Sequence, residues 1–218
     1  LLCDLGKLKE AELLTRKAIE SAPDFANAHS NLGRILSGQG KLKDAELSYR
    51  RAIEINPNYP EAYYNLANLL YGQGKLKDAE LSYRRAIEIN PNYPEAHYNL
   101  GKLLCDKGNL KDAVLSYLRA IQFKPDFAIA HSNLGNVLSE LGKLKEAELS
   151  YRRAIKLKPD FVIAYSNLGT VLSELGKLKE AELSIHKAIE INPNYPEPHY
   201  NLGNLLYSQG KLKEAELS

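Results

Sequence analysis

Apolar residues recur along this chain at helical intervals of three and four. Between 60 and 93, Ala62, Leu66, Leu69 and Leu70 form one apolar stripe, and Leu76, Ala79, Tyr83, Ala86 and Ile87 form a second, with Gly74 between them. The spacing predicts two amphipathic helices. The first opens at Pro60, whose missing N–H would have no intrahelical partner in a first turn, and runs to about Gln73, where Gly74 ends it. The second starts between Lys75 and Lys77 and stops before Pro91, which disfavours the α conformation at Asn90. Asn92 and Tyr93 form the link to the next pair.

The same pattern returns every 34 residues. Pro23, Pro57, Pro91, Pro125, Pro159 and Pro193 keep that step, as do the glycines from Gly6 to Gly210 and the alanines from Ala11 to Ala215. With the unit set to begin at Ala26, full repeats fall at 26–59, 60–93, 94–127, 128–161 and 162–195, between partial repeats at 1–25 and 196–218. One array spanning 1–218 is expected. A helix pair of this size cannot bury its apolar stripes alone, so neighbours must stack into a continuous core. Gly or Ala on the first helix, with Ala79 and Ala86 on the second, leaves room for close helix approach, and Leu66, Leu70 and Tyr83 fill the space between.

In 60–93, Tyr63, Leu66, Ala67, Leu70, Gly74, Ala79, Tyr83, Ala86 and Pro91 stand where the tetratricopeptide repeats carry their signature, and the chain resembles that family throughout its length. Departures are few. Ala67 replaces the glycine of most units, and Thr15 and Ile185 replace the aromatic seen as Tyr49, Tyr83, Tyr117 and Tyr151. The resemblance implies an all-α solenoid, a right-handed superhelix of helix-turn-helix units. It also implies that first helices line a concave face while second helices lie mainly outside.

Composition removes several classes of function. Lys and Arg number 29 against 27 Asp and Glu, a balance that supplies no electrostatic case for nucleic acid or an anionic membrane. The longest uncharged stretch, Phe161 to Ser173, is too short and too polar to span a bilayer. His29, His97, His131 and His199 share one place with Tyr63 and Tyr165, which reads as packing and not as a metal or catalytic set. No phosphate-binding loop, CxxC or nucleophile elbow occurs, so no catalytic residue, metal or cofactor is expected. Cys3 and Cys105 are three repeats apart, too far for an internal bridge; with no signal peptide at the start, this points to a cytoplasmic protein. Second helices interleave charges, with Glu80–Arg84 and Arg84–Glu88 at i,i+4. Leu1 and Ser218 fall inside repeat helices, which reads as a fragment whose uncapped ends expose core and associate end to end.

Candidate binding residues lie on the first helices. Asn31, Asn65, Asn99, Asn133, Asn167 and Asn201 hold one position in all six units, although Asn is a mediocre helix former. An amide can donate to and accept from a peptide backbone, so the row is a candidate ladder for an extended peptide. A repeated inter-helix hydrogen bond, or simple copying of one unit, would give the same row. Residues 127–135, Phe-Ala-Ile-Ala-His-Ser-Asn-Leu-Gly, resemble the repeat arm of the O-linked N-acetylglucosamine transferase family, and that resemblance implies a peptide-holding Asn ladder and a recruiting arm on a larger enzyme. Tyr64, Tyr98, Lys102 and Asn136 lie beside the row. The chaperone carboxylate clamp does not fit, because no Lys precedes any ladder Asn. Tyr64 with Tyr71 and Tyr200 with Tyr207 occupy places taken elsewhere by serines such as Ser132 and Ser139, either through segmental duplication or to narrow the groove in some units and widen it over 128–195. The expected partner is a protein or peptide, with neither nucleic acid nor membrane involved.

Overall fold

The computed structural model describes residues 7–210. Its described residues form twelve helices: α1 (Leu8–Ser21), α2 (Ala26–Gly38), α3 (Leu42–Ile55), α4 (Pro60–Gly72), α5 (Leu76–Ile89), α6 (Pro94–Asp106), α7 (Leu110–Phe123), α8 (Ala128–Glu140), α9 (Leu144–Leu157), α10 (Val162–Glu174), α11 (Leu178–Ile191) and α12 (Pro196–Ser208). Even-numbered helices are the expected first helices and odd-numbered ones the second. The bounds in 60–93 differ from the sequence reading by a residue or two. Cys3, the expected helix around Leu1 and the second helix that would hold Ser218 lie outside the described residues, as do the expected exposed ends.

Each first helix ends the same way, and the cause is visible at Gly40. Its φ of 76° lies in the left-handed region, where a side chain would be strained. That turn lets the Lys41 N–H donate to the Leu36 carbonyl at 2.9 Å and the Gly40 N–H to the Ser37 carbonyl at 3.0 Å, so the last carbonyls are satisfied. At the other end, none of the helices with a described N-cap has a side-chain cap bond; most cap positions hold Lys, Tyr or Phe, as at Lys41, Tyr59 and Phe127, where Ser, Thr or Asp would serve, and Asn109 at α7 makes no cap bond either. Packing must hold these helices in place of capping.

The chain divides into two compact units, Leu1–Leu103 and Leu104–Ser218, with the boundary inside α6. In the first unit, α2 packs on α3 and α4 on α5, and α1 and α3 also meet the first helix that follows each of them. The second unit repeats this with α8 on α9 and α10 on α11. First helices touch one another directly, α2 against α4, α8 against α10 and α10 against α12; no two second helices do so among the described pairs. Within each unit the first helices therefore form the inner face.

First helices bring leucines such as Leu66, Leu69 and Leu70 to the core, and from α3 to α11 each second helix brings alanines and one large side chain. Ala45, Ala52, Ala79 and Ala86 are wholly buried, and Tyr83, Tyr117, Tyr151 and Ile185 are each covered almost completely. Close approach is steric in origin: a Cβ added at Gly33 would come within 2.7 Å of the Tyr49 ring. Burial pushes the Tyr49 phenol up to about 12 and raises Tyr83 and Tyr151 as well. Charged staples join neighbours on the outside. Glu46 takes Arg50 of its own helix at 2.9 Å and Lys75 of the next pair at 2.9 Å, and Glu148 does the same with Arg152 and Lys177. Glu80–Arg84 forms as expected, but Glu88 pairs with Arg85 at 2.7 Å, three residues away, in place of Arg84.

Candidate functional site

The ladder asparagines divide by what precedes them in the fold. Asn99 is half-buried and donates from Nδ2 to the Tyr64 hydroxyl at 3.1 Å and to Asn68 Oδ1 at 2.8 Å, both on the preceding first helix, α4. Asn68 Oδ1 also accepts from the Tyr83 hydroxyl at 2.6 Å, which ties two first helices to one second helix. The second unit repeats the hub: Tyr151 donates to Asn136 Oδ1 at 2.8 Å and Asn167 to the same oxygen at 2.9 Å. Asn201 turns to Ser166 Oγ at 3.1 Å. At these three positions the row is an inter-helix brace.

What stands 31 residues earlier decides the outcome. Asn99 and Asn167 face Asn68 and Asn136, each with a carbonyl to offer, whereas Asn65 follows Arg34, which has no acceptor, and Asn201 follows Thr170, whose hydroxyl is turned to the Ser166 carbonyl at 3.4 Å. Asn31 and Asn65 make no side-chain bond among the described residues; Asn31 is exposed and Asn65 half-buried. Asn133 and Tyr98 are half-buried. The sequence reading missed Asn68 and the buried tyrosine hydroxyls as hubs, although the offset of 31 between Asn68 and Asn99, shared by Asn136 and Asn167, carries the signal.

Aromatic character gathers in the first unit. Tyr64 packs against Tyr93 with ring centres 5.0 Å apart and against Tyr83 at 6.2 Å, and the Lys102 ammonium stands 5.2 Å over the Tyr71 ring. In the second unit a cavity of about 440 Å³ lies between α8 and α10, lined by Asn136, Ser139, Glu140, Tyr151, Asn167 and Glu174 among others. Ser139 lines it, whereas Ser132 and Ser166 are buried.

Four of the five histidines brace loops. Nε2 of His29, His97 and His199 lies 2.8 to 2.9 Å from the carbonyl of the proline six residues earlier, and His131 lies 3.2 Å from that of Pro125. Burial lowers the His131 pKa. Burial likewise raises the Cys105 thiol, whose Sγ sits 3.7 Å from the Tyr117 hydroxyl. No group of three or more metal-ligating side chains occurs among the described residues, and none of the described helices is long and apolar enough to cross a membrane.

Family profiles described as TPR repeat and tetratricopeptide repeat match residues 34–74, 67–104, 101–142, 135–176 and 171–210, and residues 14–46. The chain belongs to the tetratricopeptide repeat family. It has that family's all-α solenoid fold, a protein-interaction fold. Solved structures agree: YrrB, described as a TPR protein with an unusual peptide-binding site, is 24% identical over 85% of this chain and 96% of its own, with a TM-score of 0.75. MamA is 26% identical over 74% of this chain and 95% of its own, at 0.71. The pilF protein of Pseudomonas aeruginosa is 19% identical over 87% and 86%, at 0.75. Among curated proteins no sequence matches this tetratricopeptide chain.

Proposed function

We propose that this tetratricopeptide chain is a non-catalytic scaffold that holds an extended peptide along the inner face of its first helices. Guest main-chain N–H groups donate to Oδ1 of Asn31, Asn65, Asn99, Asn133, Asn167 and Asn201, with Tyr64, Tyr98, Lys102 and Asn136 beside them. One observation carries the reading: at Asn99, Asn167 and Asn201 the brace engages the amide nitrogen alone, so Oδ1 stays without a partner among the described residues on a half-exposed side chain. The brace fixes each amide and leaves an acceptor for the guest. The segment 127–135 supports a narrower version, in which the chain recruits substrate for a larger enzyme such as a glycosyltransferase.

Asn31 and Asn65 give the clean test, since neither makes a side-chain bond that alanine would remove. Peptides selected from a random 12-residue display library, titrated calorimetrically against wild type and the Asn31→Ala, Asn65→Ala double variant, should bind the variant about 5- to 150-fold more weakly if two bonds of about 0.5–1.5 kcal/mol each are lost. Unchanged affinity in a variant of wild-type melting temperature would reject the ladder.

A further inference from the structure

Every described second helix places a leucine in water at the same point: Leu13, Leu47 and Leu81 on α1, α3 and α5 of the first unit, and Leu115, Leu149 and Leu183 on α7, α9 and α11 of the second. They are 56% to 71% exposed. A single leucine in water needs no explanation, but here one recurs at a central position of every outer helix, amid charged residues. Beside the leucines lies a socket. Because second helices do not touch, a cavity of about 450 Å³ opens between α3 and α5, walled by Ile53, Tyr63 and Leu66, with Leu81 at its edge and Arg50 and Arg85 on its rim.

We propose that the outer face of the first unit is a self-association surface on which the same face of a second copy of the chain docks antiparallel, the leucine row of each copy packing on the other and entering its socket between α3 and α5. Repeat spacing favours a second copy over any unrelated partner. Within the first unit Leu13, Leu47 and Leu81 recur once per repeat, so two copies in register at one repeat remain in register at the next. Charge fixes the direction. Three residues before each leucine stands an acid (Glu10, Asp44, Asp78, Asp112, Glu146, Glu180), and three residues after stands Arg16, Arg50, Arg84 or Arg152, with Leu118 and His186 in the other two helices. Antiparallel helices set the acid of one copy against the base of the other, whereas parallel helices set like against like. Acids in a first turn are what the helix dipole alone would favour, but the dipole gives no reason for an exposed leucine between acid and base. The carboxylates of Glu10, Asp44, Asp78 and Asp112 make no ion pair among the described residues and remain available. A standard interface removes about 800 Å² from each partner, more than one leucine supplies and within reach of a row with its arginine stems.

The test is sedimentation equilibrium of the whole chain from about 1 µM to about 1 mM. Wild type is expected to form dimers, and a variant carrying Leu13→Glu, Leu47→Glu and Leu81→Glu is expected to weaken association at least about 1,000-fold. Leu→Met at the same three positions should preserve it. If the threefold variant lost helicity, Leu81→Glu alone, at an exposed site, should still weaken dimerisation about tenfold or more. A wild type that stays monomeric over the whole range would overturn the proposal, as would a glutamate variant that associates as tightly as wild type through its ends.

Discussion

Asn65 and Asn99 occupy one position of the repeat and are expected to answer alanine substitution differently. Asn99→Ala deletes two hydrogen bonds, to Tyr64 and Asn68. Each contributes about 0.5–1.5 kcal/mol net, so the gross loss is about 1–3 kcal/mol. Alanine is the better helix former by about 0.6 kcal/mol, which offsets part of it. No acceptor is stranded, because Asn68 Oδ1 keeps the Tyr83 hydroxyl at 2.6 Å and the half-buried Tyr64 hydroxyl can turn to water. The net cost is roughly 0.5–2.5 kcal/mol, a fall of about 2–8 °C in melting temperature for a chain of this size. Asn65→Ala loses no bond and gains the propensity term, so its melting temperature should hold or rise slightly. Circular dichroism melts give the first comparison. Amide exchange gives the second: protection should fall in α4 and α6 for Asn99→Ala only. Equal shifts in the two variants would refute the brace.

Gly33→Ala should be mild and Gly169→Ala severe. Ala67 already sits over Tyr83 at the position equivalent to Gly33, which shows that the ring can give way, whereas a Cβ at Gly169 runs into Ile185 and lies 3.3 Å from the Ala181 carbonyl, backbone that cannot; thermal melts should rank the two, and equal melting temperatures would contradict the packing argument. Acid should loosen the staples. Hydrogen bonding by Arg16, then Gln39 and Lys41, holds Glu12 down at about 2 against an ordinary 4.5, and Lys75 and Lys177 lead the lowering of Glu46 and Glu148. A carboxyl lowered by folding stabilises the fold above its unfolded pKa and loses that contribution as pH falls through the folded value, so stability should drop between about pH 4.5 and 2. Glu12→Gln, Glu46→Gln and Glu148→Gln together should flatten that limb of a melting-temperature profile.

Much of this fold was legible because one period of 34 fixes every helix, turn and core position at once. Gly74 and Pro91 marked ends with a steric cause, and Tyr83 and Ala86 marked the core. The candidate site was harder to read, because the fate of a ladder Asn depends on a residue 31 positions back on another helix, a relation invisible to local periodicity. The pairing of Glu88 with Arg85 in place of Arg84 is of the same kind: either spacing puts the charges on one helix face, and the choice falls to Glu80, which has already taken Arg84.

Helices of 13 or 14 residues that begin on Lys, Phe or Tyr, with no side chain to meet their first N–H groups, are too short and too poorly started to persist in isolation. Such a helix pair is a borrower: it acquires order from the neighbour it lands on and presents the next pair with an equivalent surface. A chain built this way lengthens by gene duplication without new invention, since each added copy arrives with a matching template. It also shortens badly by cutting, because a severed pair takes no stable structure with it.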